Sequence, residues 1–128
     1  MSIQKEMNLK LIEKFQELKD NYEQEVCWQD KDETGAHTVY GDVFTPFIEK
    51  NIENQDDKKI IEICNFIEEL LSINDEYIEN VICLSVLERI IDNKANLEYF
   101  EKFAKENTKS EIKKMISINV KEKNRKEI

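Results

Sequence analysis

Glycine, proline and histidine are scarce: the 128 residues include two glycines, one proline and one histidine. So few turn residues exclude a sandwich or barrel and favour helices joined by short connections. Gly35 and Gly41 alone leave little capacity for a phosphate-cradling loop, and neither a calcium loop nor a nucleophile elbow is present. Any histidine mechanism depends on His37, and the spacing of Cys27, Tyr40 and Asp42 does not tie a nucleophile or an orienting acid to it. Three cysteines is an odd number without close CxxC spacing. Cys64 and Cys83 lie in apolar periodic runs and read as small core residues, with Cys27 a semi-exposed thiol, rather than as a disulfide or zinc set. The chain is therefore expected to be no enzyme, with no cofactor and no metal.

Long apolar runs are missing as well. No segment reaches the roughly 18 uninterrupted apolar residues of a membrane span, and Met1–Glu6 lacks the apolar core of a secretory leader. A cytoplasmic protein away from the membrane is the expectation. At this length the simplest organisation is a single helical domain over residues 1–128.

What the chain does have is charge, unevenly placed. Residues 102–128 hold nine Lys or Arg and four Asp or Glu, a net of +5; the remainder carries −14, leaving −9 for the whole. An acidic body repels nucleic acid and attracts basic proteins, because complementary potential steers encounter. The basic end, residues 119–128, reads as a frayed, solvated tail rather than a nucleic-acid contact.

Apolar periodicity marks the helices. Ile3, Met7, Leu11, Phe15, Leu18 and Tyr22 recur in steps of three and four, predicting one helix over residues 3–25. Trp28 to His37 has no period and reads as a loop. Thr45-Pro46 predicts a helix start, with threonine as cap and proline at the first position, running to about Asn54. Asp56 caps the next helix, with Ile60, Ile63, Cys64, Ile67 and Leu71 on one face. After the break at residues 72–76, a fourth helix runs to about Asp92. Its apolar residues, Leu84 and Leu87 among them, exceed a single stripe, so it is expected to be the enclosed central helix. Leu97, Phe100, Phe103 and Ala104 define a fifth, and the capping box Thr108–Glu111 opens a sixth that presents Ile112, Met115 and Ile116. Phe66–Leu71 and Val86–Ile91 share an order of apolar and charged types. That echo favours an all-α, HEAT-like stack of about six helices over an irregular helical bundle.

The acid pairs Asp56-Asp57 and Asp75-Glu76 fall at helix N-termini, where the macrodipole accounts for them without catalysis. Binding remains. Residues 22–33 mix five carboxylates with aromatics, and Tyr40 and Asp42 continue the pattern. The expected partner-binding set is Glu25, Trp28, Asp30, Asp32, Glu33, Tyr40 and Asp42, the aromatics giving contact and the acids giving steering.

The helix pair Ile63-Cys-Asn-Phe-Ile-Glu-Glu-Leu-Leu71 and Glu79-Asn-Val-Ile-Cys-Leu-Ser-Val-Leu-Glu-Arg-Ile, with its Tyr40–Phe47 lead-in, resembles small acidic all-helical bacterial proteins. These are seen among the immunity proteins of polymorphic toxin and contact-dependent growth inhibition systems. The likeness covers roughly residues 38–92. It implies a protein that binds a co-encoded, basic toxin, often a nuclease, and covers its active site. A helical adaptor or scaffold for another basic partner is the alternative.

Overall fold

The computed structural model describes residues 2–26 and 35–126, with side chains to residue 118. These residues form seven helices and no strand: α1 (Ile3–Lys14), α2 (Lys19–Val26), α3 (residues 36–53), α4 (Asp57–Leu71), α5 (residues 76–91), α6 (Lys94–Glu101) and α7 (Glu106–Lys126). Four of them start on a side chain that accepts an otherwise orphaned backbone N–H. Ser2 accepts from Lys5, Asp56 from Lys59, Asp75 from Ile78 and Asn93 from Asn96, at 3.0 to 3.3 Å. None of the described helices is long and apolar enough to cross a membrane.

The expected first helix is two. Phe15 leaves helical geometry at φ −122° and ψ 79°, a short 3-10 turn follows over Gln16–Leu18, and α2 sets off from there. The cause lies elsewhere in the chain. The Phe15 ring sits 5.5 to 5.7 Å from the rings of Phe44, Phe47 and Phe66, in a cluster joining the end of α1 to α3 and α4. The bend lets α2 lie against the middle of α3.

A second correction concerns Thr45-Pro46, which opens the expected α-helical stretch Thr45–Glu53 but neither caps it nor begins a separate helix. Helix α3 is already under way at Ala36, so His37, expected in the loop, belongs to its first turn. The helix passes through a π-helical segment at Tyr40–Phe44 and continues as α-helix over Thr45–Glu53. Proline inside a helix has no N–H to offer the preceding turn. In the wider π register that missing bond falls on the Gly41 carbonyl, which instead accepts from Arg89 Nη1 of α5 at 2.7 Å.

Helix α5 has a π-helical segment of its own, Ile82–Leu87, and the two π segments pack against each other. The widened turn keeps Ile82, Val86 and Leu87 all in the core while Leu84, between them, points outward. Leu84 is 57% exposed and Leu87 fully buried, so the expectation that both are interior fails for Leu84. The central position is also shared: α3 touches α1, α2, α4, α5 and α6.

Helix α4 follows its sequence pattern, with Ile60, Ile63, Cys64, Ile67 and Leu71 buried. Helix α7 does not. It begins at Glu106, before the expected capping box, and Thr108 is buried. Glu68 of α4 accepts from the backbone N–H groups of Asn107 and Thr108, each at 3.0 Å, and from the Thr108 hydroxyl at 3.2 Å. Ile112 is buried and Met115 half-buried, whereas Ile116 is exposed. The backbone stays helical to Lys126, through most of the segment read as a frayed tail.

Candidate functional site

Where α2 lies across the π segment of α3, a groove of about 730 Å³ opens between them. One wall comes from α2 and the turn before it, with Glu17, Asn21 and Glu25; the other comes from α3, with Asp42, Pro46, Phe47 and Lys50. Residues 42, 46 and 50 are four apart and so share one helix face. Phe47 is held from behind by Phe15, and its carbonyl accepts from Asn51 Nδ2 at 2.8 Å. Pro46 and Phe47 thus form an apolar patch with Glu17, Glu25 and Asp42, and the Lys50 side chain, around it.

The Glu25 and Asp42 carboxyl groups face one another across the groove. Desolvation, followed by the hydrogen bond to Asp42 and the repulsion of its charge, raises the Glu25 pKa above the ordinary carboxylate range. A guanidinium or ammonium entering between them would relieve that repulsion and give both carboxyl groups a charged partner. At the other end Glu17 pairs with Lys59 Nζ at 3.2 Å, and Lys59 also reaches Glu62 at 3.2 Å.

The position of Asp42 is set from behind by the crossing of α3 and α5. The Thr45 hydroxyl lies 2.8 Å from both the Tyr40 and Ser85 carbonyl oxygens, sharing one proton between them. Arg89 holds the Gly41 carbonyl with one nitrogen and Glu49 with the other, at 2.9 Å. His37 Nδ1 sits 2.8 Å from Ser85 Oγ, and the imidazole ring stands edge-on to Tyr77. This His–Ser contact joins residues 48 apart, which is why spacing did not reveal it. Among the described residues no group of three His, Cys, Asp or Glu is placed to hold a metal ion.

Of the residues expected to bind a partner, the structure brings together Glu25 and Asp42. Tyr40 is fully buried, its hydroxyl donating to the Met7 carbonyl, so the aromatic contact expected of it at the surface is absent. Its polar tip is satisfied inside the core, and burial raises its pKa. Trp28, Asp30, Asp32 and Glu33 lie outside the described residues, as does Cys27. Glu17, Pro46, Phe47 and Lys50 were missed as groove residues. The four-residue steps through 42, 46 and 50 were the available signal, obscured by reading Thr45-Pro46 as a helix boundary.

The chain belongs to the DUF7674 family, a domain of unknown function, whose family model matches residues 8–119. No curated protein and no solved structure matches it.

Proposed function

We propose that this protein is a non-catalytic inhibitor of the immunity type, which binds a basic toxin and covers its active site with the acidic surface around the α2–α3 groove. The observation that carries this reading is the Glu25–Asp42 pair, held in a groove with an apolar wall on a chain of net charge −9. Two carboxyl groups held together against their mutual repulsion favour an incoming cation over solvent. A nuclease toxin suits this surface, because a site that holds phosphates is basic and an acidic body competes for the same field. The finer reading of the helices as a HEAT-like stack belongs with this proposal and rests on the echo between Phe66–Leu71 and Val86–Ile91.

The test is co-expression with the product of the neighbouring gene, reading cell survival and complex formation together. Rescue with a stable complex, weakened by the paired substitutions Glu25→Lys and Asp42→Lys, supports the reading. Toxicity that persists beside a folded protein overturns that pairing and favours the adaptor alternative.

A further inference from the structure

A second groove borders α3 on its other side. Helix α3 ends in a turn where Gln55 takes a left-handed φ of 52° and the Asp56 N–H donates to the Asn51 carbonyl at 3.0 Å. Beside that end, between α3 and α6, lies a groove of about 480 Å³, with Glu49, Ile52, Glu53 and Gln55 on one wall and Asn96 and Tyr99 on the other. Arg89 holds Glu49 at 2.9 Å, whereas the exposed Glu53 makes no ion pair among the described residues. Asp42, Pro46, Lys50 and Glu53 are all exposed and follow one another at steps of four, four and three, so they form one outward ridge of α3. Phe47 and Asn51 line the α2–α3 groove on one side of the ridge, and Glu49 and Ile52 line the α3–α6 groove on the other.

Charge sets these two grooves apart from two others. Counted formally, Glu17, Glu25 and Asp42 against Lys50 leave the α2–α3 groove at −2, and Glu49 with Glu53 leaves the α3–α6 groove at −2. The groove between α1 and α4 sets Lys10 and Lys14 against Glu13 and Glu69, a net of zero, and the one between α6 and α7 sets Lys109 and Lys113 against Glu101, a net of +1. A basic partner is thus drawn to both flanks of α3 and not to the other two grooves. We propose that this partner straddles α3, with one cationic side chain in the α2–α3 groove and a second in the α3–α6 groove beside Glu53. Asp42 and Glu53 are eleven residues apart, so the two cationic groups stand about 15 Å apart along the ridge. The C-terminal end of α3 adds the negative end of its dipole to the Glu53 charge, and the same lining offers a guanidinium the amide oxygens of Gln55 and Asn96. The inference rests on the α2–α3 reading and extends its footprint across the ridge.

Titration of the full, isotope-labelled chain with a hexa-arginine peptide, read by two-dimensional NMR, tests it. Extended, that peptide reaches about 20 Å, enough to span both grooves. The side-chain amides of Gln55 and Asn96 report on the α3–α6 groove, and those of Asn21 and Asn51 on the α2–α3 groove. The backbone amides of Lys109 and Lys113 are the control at the groove of net positive charge. Both acidic grooves are expected to respond, and the control is not. Glu53→Lys is expected to remove the shifts at Gln55 and Asn96, to raise the Kd about fivefold and to leave the shifts at Asn21 and Asn51 in place. Glu53 is exposed, and the spectrum itself shows that the variant stays folded. Shifts confined to Asn21 and Asn51, or shifts at Gln55 and Asn96 that survive Glu53→Lys, overturn this inference and leave the α2–α3 reading standing. Shifts in neither groove overturn both.

Discussion

Glu68 fixes the start of α7 from a different helix. A helix N-terminus leaves its first N–H groups without partners, and one carboxylate here takes two of them together with a buried hydroxyl. Replacing Glu68 by alanine strands those donors, and the expected loss is about 1–3 kcal/mol. Urea unfolding measures it, and faster amide exchange at Asn107 and Thr108 would place the damage at the cap. An unchanged midpoint would mean that water replaces the carboxylate without loss. Cysteine chemistry belongs to the same scale. Burial pushes the Cys64 thiol up to about 12, and burial together with the Glu111 carboxylate does the same for Cys83. Because the thiolate is the reactive form, neither should be alkylated at neutral pH in the folded protein, while both should label in denaturant. Mass spectrometry after iodoacetamide treatment reads the difference, and rapid native labelling of Cys83 would contradict it.

Helices α4 and α5 show what sequence can and cannot specify about an element. The cap at Asp56, the acid pair at the start of α5 and the buried face of α4 follow from local chemistry and a 3.6-residue period, so they were legible, whereas the capping role of Asp75 was not singled out. The π segments were not. Their register depends on partners distant in the chain, Arg89 on the Gly41 carbonyl and Thr45 on the Ser85 carbonyl, and no window of local sequence contains both ends. The break at Phe15 is similar, set by rings from α3 and α4. The candidate site divides along the same line: Glu25 and Asp42 stood out as acids, but their pairing needed the fold. Leucine gives a direct test of the π register in α5. Leu87→Ala is expected to destabilise by about 2–5 kcal/mol, and Leu84→Ala to stay within about 0.5 kcal/mol when measured in dilute solution. Equal losses at the two positions would mean that α5 is enclosed on all sides.

On the scale of the whole molecule, an acidic chain that holds two carboxyl groups across one groove has a pH dependence of defined sign. The folded-state pKa of Glu25 lies above its unfolded value, so between the two the folded protein binds more protons than the unfolded chain. Stability from this group is fully present below the unfolded pKa and is lost as pH rises through the raised folded value. Glu25→Gln keeps a donor for Asp42 at every pH and removes that loss. The variant should therefore gain on the parent protein as pH rises from the acidic range to neutral, seen as diverging urea midpoints. Parallel midpoints across that range would mean that the pair is not coupled in solution. Binding follows the opposite sign. A cationic side chain seated between Glu25 and Asp42 displaces their proton, so association with a basic partner should strengthen as pH rises through the same window and weaken with added salt. The Glu25→Gln protein, with no proton there to displace, should lose the pH dependence while keeping part of the salt dependence, which comes from the rest of the acidic body.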